Sequence, residues 1–198
     1  MTDPASGAQL LSKRTWWIAL PLVAGLLLFV VVSLAMPGDT PIPVHAVSVV
    51  ASFPHDSAAF TQGLVVQDGV LYEGTGHYGQ STLRRVDLQT GVVDKSMSLS
   101  ADYFGEGITL LDEQIFQLTW QEGVCFLYDK QSLAPKGTLR YSHEGWGLTN
   151  DGQHLYVSDG TSTIRVLDPK TLKPLRRIRV KQGRRLVDKI NELEFVDG

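Results

Sequence analysis

Three stretches of the chain align without gaps: QGLVVQDGVLYEGT (62–75), EGITLLDEQIFQLT (106–119) and WGLTNDGQHLYVSD (146–159). NELEFVDG (191–198) matches the opening of the same pattern. Anchored on Leu64, Ile108, Leu148 and Leu193, the spacings are 44, 40 and 45 residues. A second marker keeps the same step, because the Asp-led turns at Asp87 (DLQTG), Asp129 (DKQSL) and Asp168 (DPKTL) lie 42 and 39 residues apart. A period of about 40–45 residues, filled with short β-branched and aromatic runs and punctuated by turns such as QDG (67–69) and TNDG (149–152), predicts one four-stranded propeller blade per repeat. Each unit reads as a strand, a hairpin, a further strand and an Asp-led turn into the outer edge. The expected class is all-β, with three blades and part of a fourth across 46–198.

In a propeller the innermost strand of each blade runs along the central channel, so residues equivalent by repeat point toward one axis. Two positions before the anchors stand Gln62, Glu106, Trp146 and Asn191. A structural position repeats its residue type, as the anchors do. This one diversifies into an amide, a carboxylate, an indole and a second amide, which suits a site at a channel mouth. Phe60, Phe104 and Glu144, two residues earlier again, form a second ring. Each ring residue also has a structural alternative: Glu106 as a turn cap, Trp146 as packing between blades, Gln62 and Asn191 as partners of backbone groups. Gly105 and Gly107 flank Glu106, offer left-handed backbone angles and leave no Cβ to shield the carboxylate from a reactant.

One segment breaks the repeat. Trp16 to Met36 contains 21 residues and no charge, and a helix of that length spans ~31 Å, the thickness of a bilayer's hydrocarbon core. Lys13 and Arg14 precede it, so the positive-inside rule keeps 1–14 in the cytoplasm and sends the rest across, with Trp16 and Trp17 at the interface. The expected organisation is a cytoplasmic N-terminus (1–14), a single-pass signal anchor (15–36), a Pro/Gly linker (37–45) and an extracytoplasmic or periplasmic domain. Processing after SLA (33–35) would instead release a secreted protein. The net charge of −3 argues against nucleic acid, and LRRIRVKQGRR (175–185) mixes charged and apolar residues as a half-solvated strand does. A single cysteine, Cys125, allows no intrachain disulfide, and the five histidines show no compact zinc spacing.

FTQGL (60–64), GTGHYGQSTLRRVD (74–87), YFGEGIT (103–109), LTW (118–120), EGWGLT (144–149), SDGT (158–161) and NELE (191–194) resemble the plant and bacterial type of glutaminyl-peptide cyclotransferase. The likeness runs from Phe53 to the end with its motifs in order. It implies a five-bladed propeller that converts the N-terminal glutamine of peptides or proteins to pyroglutamate with release of ammonia. By motif, Phe60, Gln62, Phe104, Glu106, Trp120, Trp146 and Asn191 match the family's pocket, with Glu106 as the proton-moving carboxylate. No metal is implied in catalysis and no cofactor is required; a structural calcium is admitted by the plant relatives. The residue types suit the chemistry, since the nucleophile is the substrate's own α-amine and the protein has only to fold the side chain, move protons and steady the oxyanion.

The repeat stops at Gly198 after the opening of a fourth unit, and the family's further tryptophan and lysine on later blades have no counterpart here. Two expectations follow: a piece of a longer product, or a decayed and inactive copy. In the first case HAVSVVASF (45–53) is the strand expected to close the ring. The competing function classes are a membrane-anchored propeller that binds a protein or ligand without catalysis, and a lactonase or quinoprotein, which calls for more axial metal-binding carboxylates than Glu106, Glu144 and Glu192 supply.

Overall fold

The computed structural model describes residues 46–196; the expected N-terminus, anchor and linker (1–14, 15–36 and 37–45) lie outside the described residues. Within them the chain is all-β and has no helix. Three four-stranded antiparallel sheets follow one another, each a meander in chain order. The first is β1 (Thr61–Gln67), β2 (Val70–Thr75), β3 (Thr82–Asp87) and β4 (Val93–Ser98). The second is β5 (Gly105–Leu111), β6 (Gln114–Thr119), β7 (Val124–Asp129) and β8 (Pro135–Arg140). The third is β9 (Leu148–Asn150), β10 (Leu155–Val157), β11 (Thr163–Leu167) and β12 (Pro174–Arg179). A small hairpin, β13 (Lys181–Gln182) with β14 (Arg185–Leu186), ends the regular structure. The architecture is propeller-like and each sheet coincides with one sequence repeat.

The turns explain why the repeat is legible. Between β1 and β2, Asp68 and Gly69 take φ of 53° and 77°, the left-handed pair that a two-residue hairpin needs. Between the third and outer strands, Asp87 Oδ1 accepts from Thr90 N and Oγ1 at 2.8 and 2.7 Å. Asp129 Oδ1 accepts from Ser132 N and Oγ at 3.0 and 2.8 Å, and Asp168 Oδ1 from Thr171 N and Oγ1 at 2.8 Å each. An Asp followed three residues later by Thr or Ser is therefore a self-satisfying turn used three times. The side-chain bond from Thr90 is the largest cause holding the Asp87 carboxyl below its ordinary range, and the bond from Thr171 opposes burial to do the same for Asp168.

Two apolar clusters fill the spaces between neighbouring sheets. Tyr72 and Leu83 of the first sheet meet Ile108, Ile115 and Tyr128 of the second. Phe116, Leu118 and Cys125 of the second meet Leu148, Leu155, Val157 and Leu167 of the third. Cys125 is fully buried there, and burial pushes its thiol up to about 12.

The close approach of the inner strands depends on one glycine per repeat, at the position just before the anchor. A Cβ on Gly63 would stand 2.5 Å from Ile108 N, and one on Gly107 2.5 Å from Trp146 O. A Cβ on Gly147 would overlap Asn191 O. Bare backbone lets β5 lie against β1, and β9 against β5, with Gly107 N donating to Trp146 O at 2.8 Å.

Among the described residues, 46–53 form no strand and find no strand to pair with; the later blade that this segment is expected to close is not among them. The segment is held further on, where His55 Nε2 lies 2.9 Å from Glu73 Oε1 and Arg84 Nη1 donates to Asp56 Oδ2 at 2.9 Å. The start of the fourth repeat, 191–196, is also not a strand. It runs beside β9 all the same, with Phe195 N donating to Thr149 Oγ1 at 3.2 Å.

Candidate functional site

Gln62 and Glu106 occupy the same irregularity in their sheets. In the β1–β2 ladder the register jumps between Thr61 and Gly63, and in the β5–β6 ladder between Gly105 and Ile108. A bulge turns a side chain out of the strand's alternation. Here both residues are turned toward each other, and Gln62 Nε2 donates to Glu106 Oε2 at 2.6 Å from one sheet to the next. The carboxylate of Glu106 thus takes its hydrogen bond from a neighbouring sheet, and not from a backbone N–H of its own turn, which is not the geometry of a cap.

Gly105 and Gly107 act differently from the sequence reading. Neither has a positive φ. What approaches them is protein: a Cβ on Gly105 would stand 2.6 Å from Thr75 O, and Gly107 faces Trp146 O as described. Gly74 does the same on the other side, where a Cβ would lie 2.9 Å from Glu106 O. The Glu106 backbone is gripped by bare strands on both sides, so its carboxylate has one direction to point.

Glu106 is 5% exposed. Burial is the largest influence on its acidity and pushes the carboxyl up to about 8; the bond from Gln62 lowers it, and the charges of Glu192, Glu122 and Glu144 raise it. A carboxyl with that value changes protonation near neutral pH and suits proton transfer in both directions.

Aromatic rings build the wall. Phe104 meets Trp120 edge-on at 5.8 Å between centroids and Phe60 at 6.2 Å. A Cβ on Gly76 would touch both the Phe104 ring and the Gln62 stem, so the glycine after β2 is what lets ring and amide sit together. Trp146 lies over Gly160, whose missing side chain leaves room for the indole. Trp120 Nε1 and Trp146 Nε1 donate to one oxygen, Glu144 Oε2, at 3.0 and 2.9 Å. Asn191 shares a cavity of about 120 Å³ with Gln62 and Glu192, and its carbonyl accepts from Ser158 Oγ at 2.6 Å.

The seven expected site residues are linked pairwise: Phe60, Phe104 and Trp120 by ring contacts, Gln62 and Glu106 by their bond, Trp120 and Trp146 through Glu144, and Asn191 to Gln62 through the cavity they line. Others were not anticipated in this role. His77, at φ 79°, stacks on Phe60 with centroids 4.0 Å apart. Tyr78 OH donates to Glu122 Oε1 at 2.8 Å while Glu122 Oε2 is buried without a partner. The sequence signal for this rim is the glycine-bracketed GTGHYG (74–79), whose bends hold two aromatic side chains at the mouth. As for metals, among the described residues no three His, Cys, Asp or Glu side chains are gathered to hold an ion. No step below involves a metal.

A family model described as glutamine cyclotransferase matches residues 23–198. The chain is 44% identical over 156 residues to the glutaminyl-peptide cyclotransferase of Arabidopsis thaliana, an alignment covering 78% of this chain and 49% of that protein. The chain thus spans about half the length of the curated relative. The crystal structure of Myxococcus xanthus glutaminyl cyclase is similar with a TM-score of 0.70 at 36% identity, over 76% of this chain and 64% of that one. The WD40 domain of Neurospora crassa Pan2 matches with a TM-score of 0.51 at 11% identity, over 60% of this chain and 36% of that one, a likeness of fold alone.

Proposed function

The chain belongs to the glutamine cyclotransferase family, and from that membership we propose that it cyclises the N-terminal glutamine of peptides or proteins to pyroglutamate. The observation that carries this reading is Glu106: a buried carboxyl, gripped by glycines, bonded by Gln62 and raised to about 8 beside an aromatic wall.

The α-amine of the glutamine attacks its own γ-carboxamide carbon, so a C–N bond forms in a five-membered ring and the original carboxamide nitrogen departs. One proton must travel from the attacking nitrogen to the leaving one. Glu106, ionised, takes it as the tetrahedral adduct forms and, now protonated, returns it to the departing nitrogen, which leaves as ammonia. Tethering supplies most of the acceleration once the side chain is folded back. Phe104, Trp120 and Trp146 hold its methylenes in a low-polarity wall, and the amides of Gln62 and Asn191 steady the oxyanion. Phe60 extends the wall outward to the residues that follow the glutamine. No cofactor enters these steps.

Mass spectrometry of a glutamine-led peptide incubated with the protein tests the activity; loss of ammonia is expected, and an unchanged peptide beside an active relative would leave a non-catalytic binding propeller. A finer test uses Gln62→Leu. The bond from Gln62 lowers the pKa of Glu106, so its removal is expected to move the corresponding limb of the pH–rate profile upward and to slow turnover about tenfold or more. A limb that stays in place or moves down overturns the Gln62–Glu106 assignment.

The same reading extends to the whole protein as a closed five-bladed ring. Leu64, equivalent by repeat to the buried Ile108 and Leu148, is 42% exposed, and a neighbouring blade is what covers that position elsewhere. The uncharged segment 15–36 behind Lys13 and Arg14 supports a membrane anchor with the domain on the extracytoplasmic side. A reporter fused after Gly198 is expected to be active outside the cytoplasm; activity only inside reverses the topology.

A further inference from the structure

We propose that Glu144 is a positioning residue that sets both tryptophans of the wall through a single carboxylate. In the first two repeats the position four residues before the anchor is an aromatic ring, Phe60 and Phe104; in the third it is Glu144. The wall does not stop there. Glu144 Oε2 accepts from Trp120 Nε1 of the second repeat and Trp146 Nε1 of the third, at 3.0 and 2.9 Å. Its other oxygen accepts from Gln121 Nε2 at 3.1 Å. The third repeat thus replaces a ring by a group that aims two rings.

A carboxylate is suited to this task. An indole N–H only donates, and two donors can share one oxygen when it carries negative charge, because an ionised carboxylate offers only acceptor sites. A glutamine side chain would present one oxygen and one donating NH2, and cannot serve all three partners. The main chain leaves the indoles in need of such a group. Trp120 is fixed at its backbone, with its N donating to Phe104 O at 3.0 Å and its O accepting from Gly145 N at 2.8 Å; its ring meets Phe104 on one side, and its Nε1 finds its acceptor in Glu144. Trp146 rests on Gly160, and its Nε1 points to the same oxygen. The bond from Trp146, then that from Gln121, holds the Glu144 carboxyl below its ordinary range, so the charge persists across the working pH range.

The kinetic consequence rests on the cyclotransferase reading; the structural one does not. With the full chain labelled at its tryptophan indole nitrogens, the Trp120 and Trp146 N–H resonances, identified from Trp120→Phe and Trp146→Phe, are expected to titrate together with one midpoint below 4.5. In Glu144→Gln both are expected to move and that common titration to vanish. On a glutamine-led peptide, Glu144→Gln is expected to raise KM about tenfold, in line with losing a charge-assisted bond, and to move the Glu106 limb of the kcat profile slightly downward, because the Glu144 charge is one of those that raise that carboxyl. Gln121→Ala removes only the third donor and is expected to leave both indole signals coupled, which guards against a variant that merely unfolds. Independent titration of the two indoles, or indoles that respond while KM does not, overturns the proposal. A wild-type protein that leaves the peptide unchanged overturns the cyclotransferase reading instead, and the indole titration still decides whether Glu144 holds both rings.

Discussion

Glu106→Gln is expected to lower turnover by about 10²–10⁴, the usual worth of a general acid/base, and to make the protein more heat-stable in alkaline solution. The two effects share one cause. Burial raises the folded-state value of Glu106 from 4.5 to about 8, whereas the unfolded chain ionises near the lower figure. Between those limits the native state keeps a proton that the unfolded state gives up. The contribution of the neutral carboxyl to stability is therefore complete below 4.5, declines as the pH rises toward 8, and leaves a buried charge above that. Glutamine has no charge to bury. Melting curves of the two proteins should agree best in acid and separate with rising pH, with the variant higher by about 3 °C or more at pH 9. Wild-type turnover in the variant would remove Glu106 from the mechanism; a lower Tm at every pH would return it to the part of a turn cap.

Gly107→Ala should cost more stability than any surface change. The added methyl would stand 2.5 Å from Trp146 O, 2.7 Å from Leu148 N and 2.9 Å from Gly147 C, all of them backbone atoms that cannot rotate away. Gly107 N also donates to Trp146 O, so relief of the clash separates a bonded pair and opens the cluster of Leu118, Leu148 and Leu155 behind it. A loss of about 3 kcal/mol or more is expected from overpacking of this kind. Gly152→Ala is the control: its φ is +84° and nothing lies within 4 Å of the added carbon, so it bears only the left-handed backbone penalty of roughly 1–2 kcal/mol. Thermal melts of the two variants make the comparison, and equal losses would mean that the inner strands have room to spare.

How much of this was visible beforehand differs from residue to residue. The sheets were legible because each carries its own local chemistry: a hairpin at Asp68–Gly69 and an Asp–Thr or Asp–Ser turn at Asp87, Asp129 and Asp168, all satisfied within a few residues. Gln62 and Glu106 were legible by a different route, as positions where a conserved frame changed its chemistry from repeat to repeat. The bulges that aim them were not, because a register jump depends on the partner strand. Gly105 and Gly107 were seen as special for two reasons, of which the left-handed φ is absent and close approach holds, with protein backbone as what approaches; a glycine chosen for either is the same letter. Glu144 was placed in a ring, yet its hold on Trp120 spans 24 residues, a separation with no periodic signature. The closing strand expected at 45–53 had the right alternation and finds no partner within the described residues. A strand pattern states which face is apolar and leaves open what will pair with it.

The burial of Cys125 has a bearing on how the protein can be followed. Its sulfur lies at 0% exposure among Phe116, Leu118, Leu148 and Leu155, and the thiolate, the form that reacts, is suppressed. In the folded domain this thiol is consequently silent toward oxidants and alkylating reagents, and cannot cross-link to another copy. Only when the second and third sheets part does the sulfur meet solvent. The rate at which a thiol reagent is consumed becomes a clock for that parting, read from a single natural atom and without a label, and ligands that hold the sheets together will slow it.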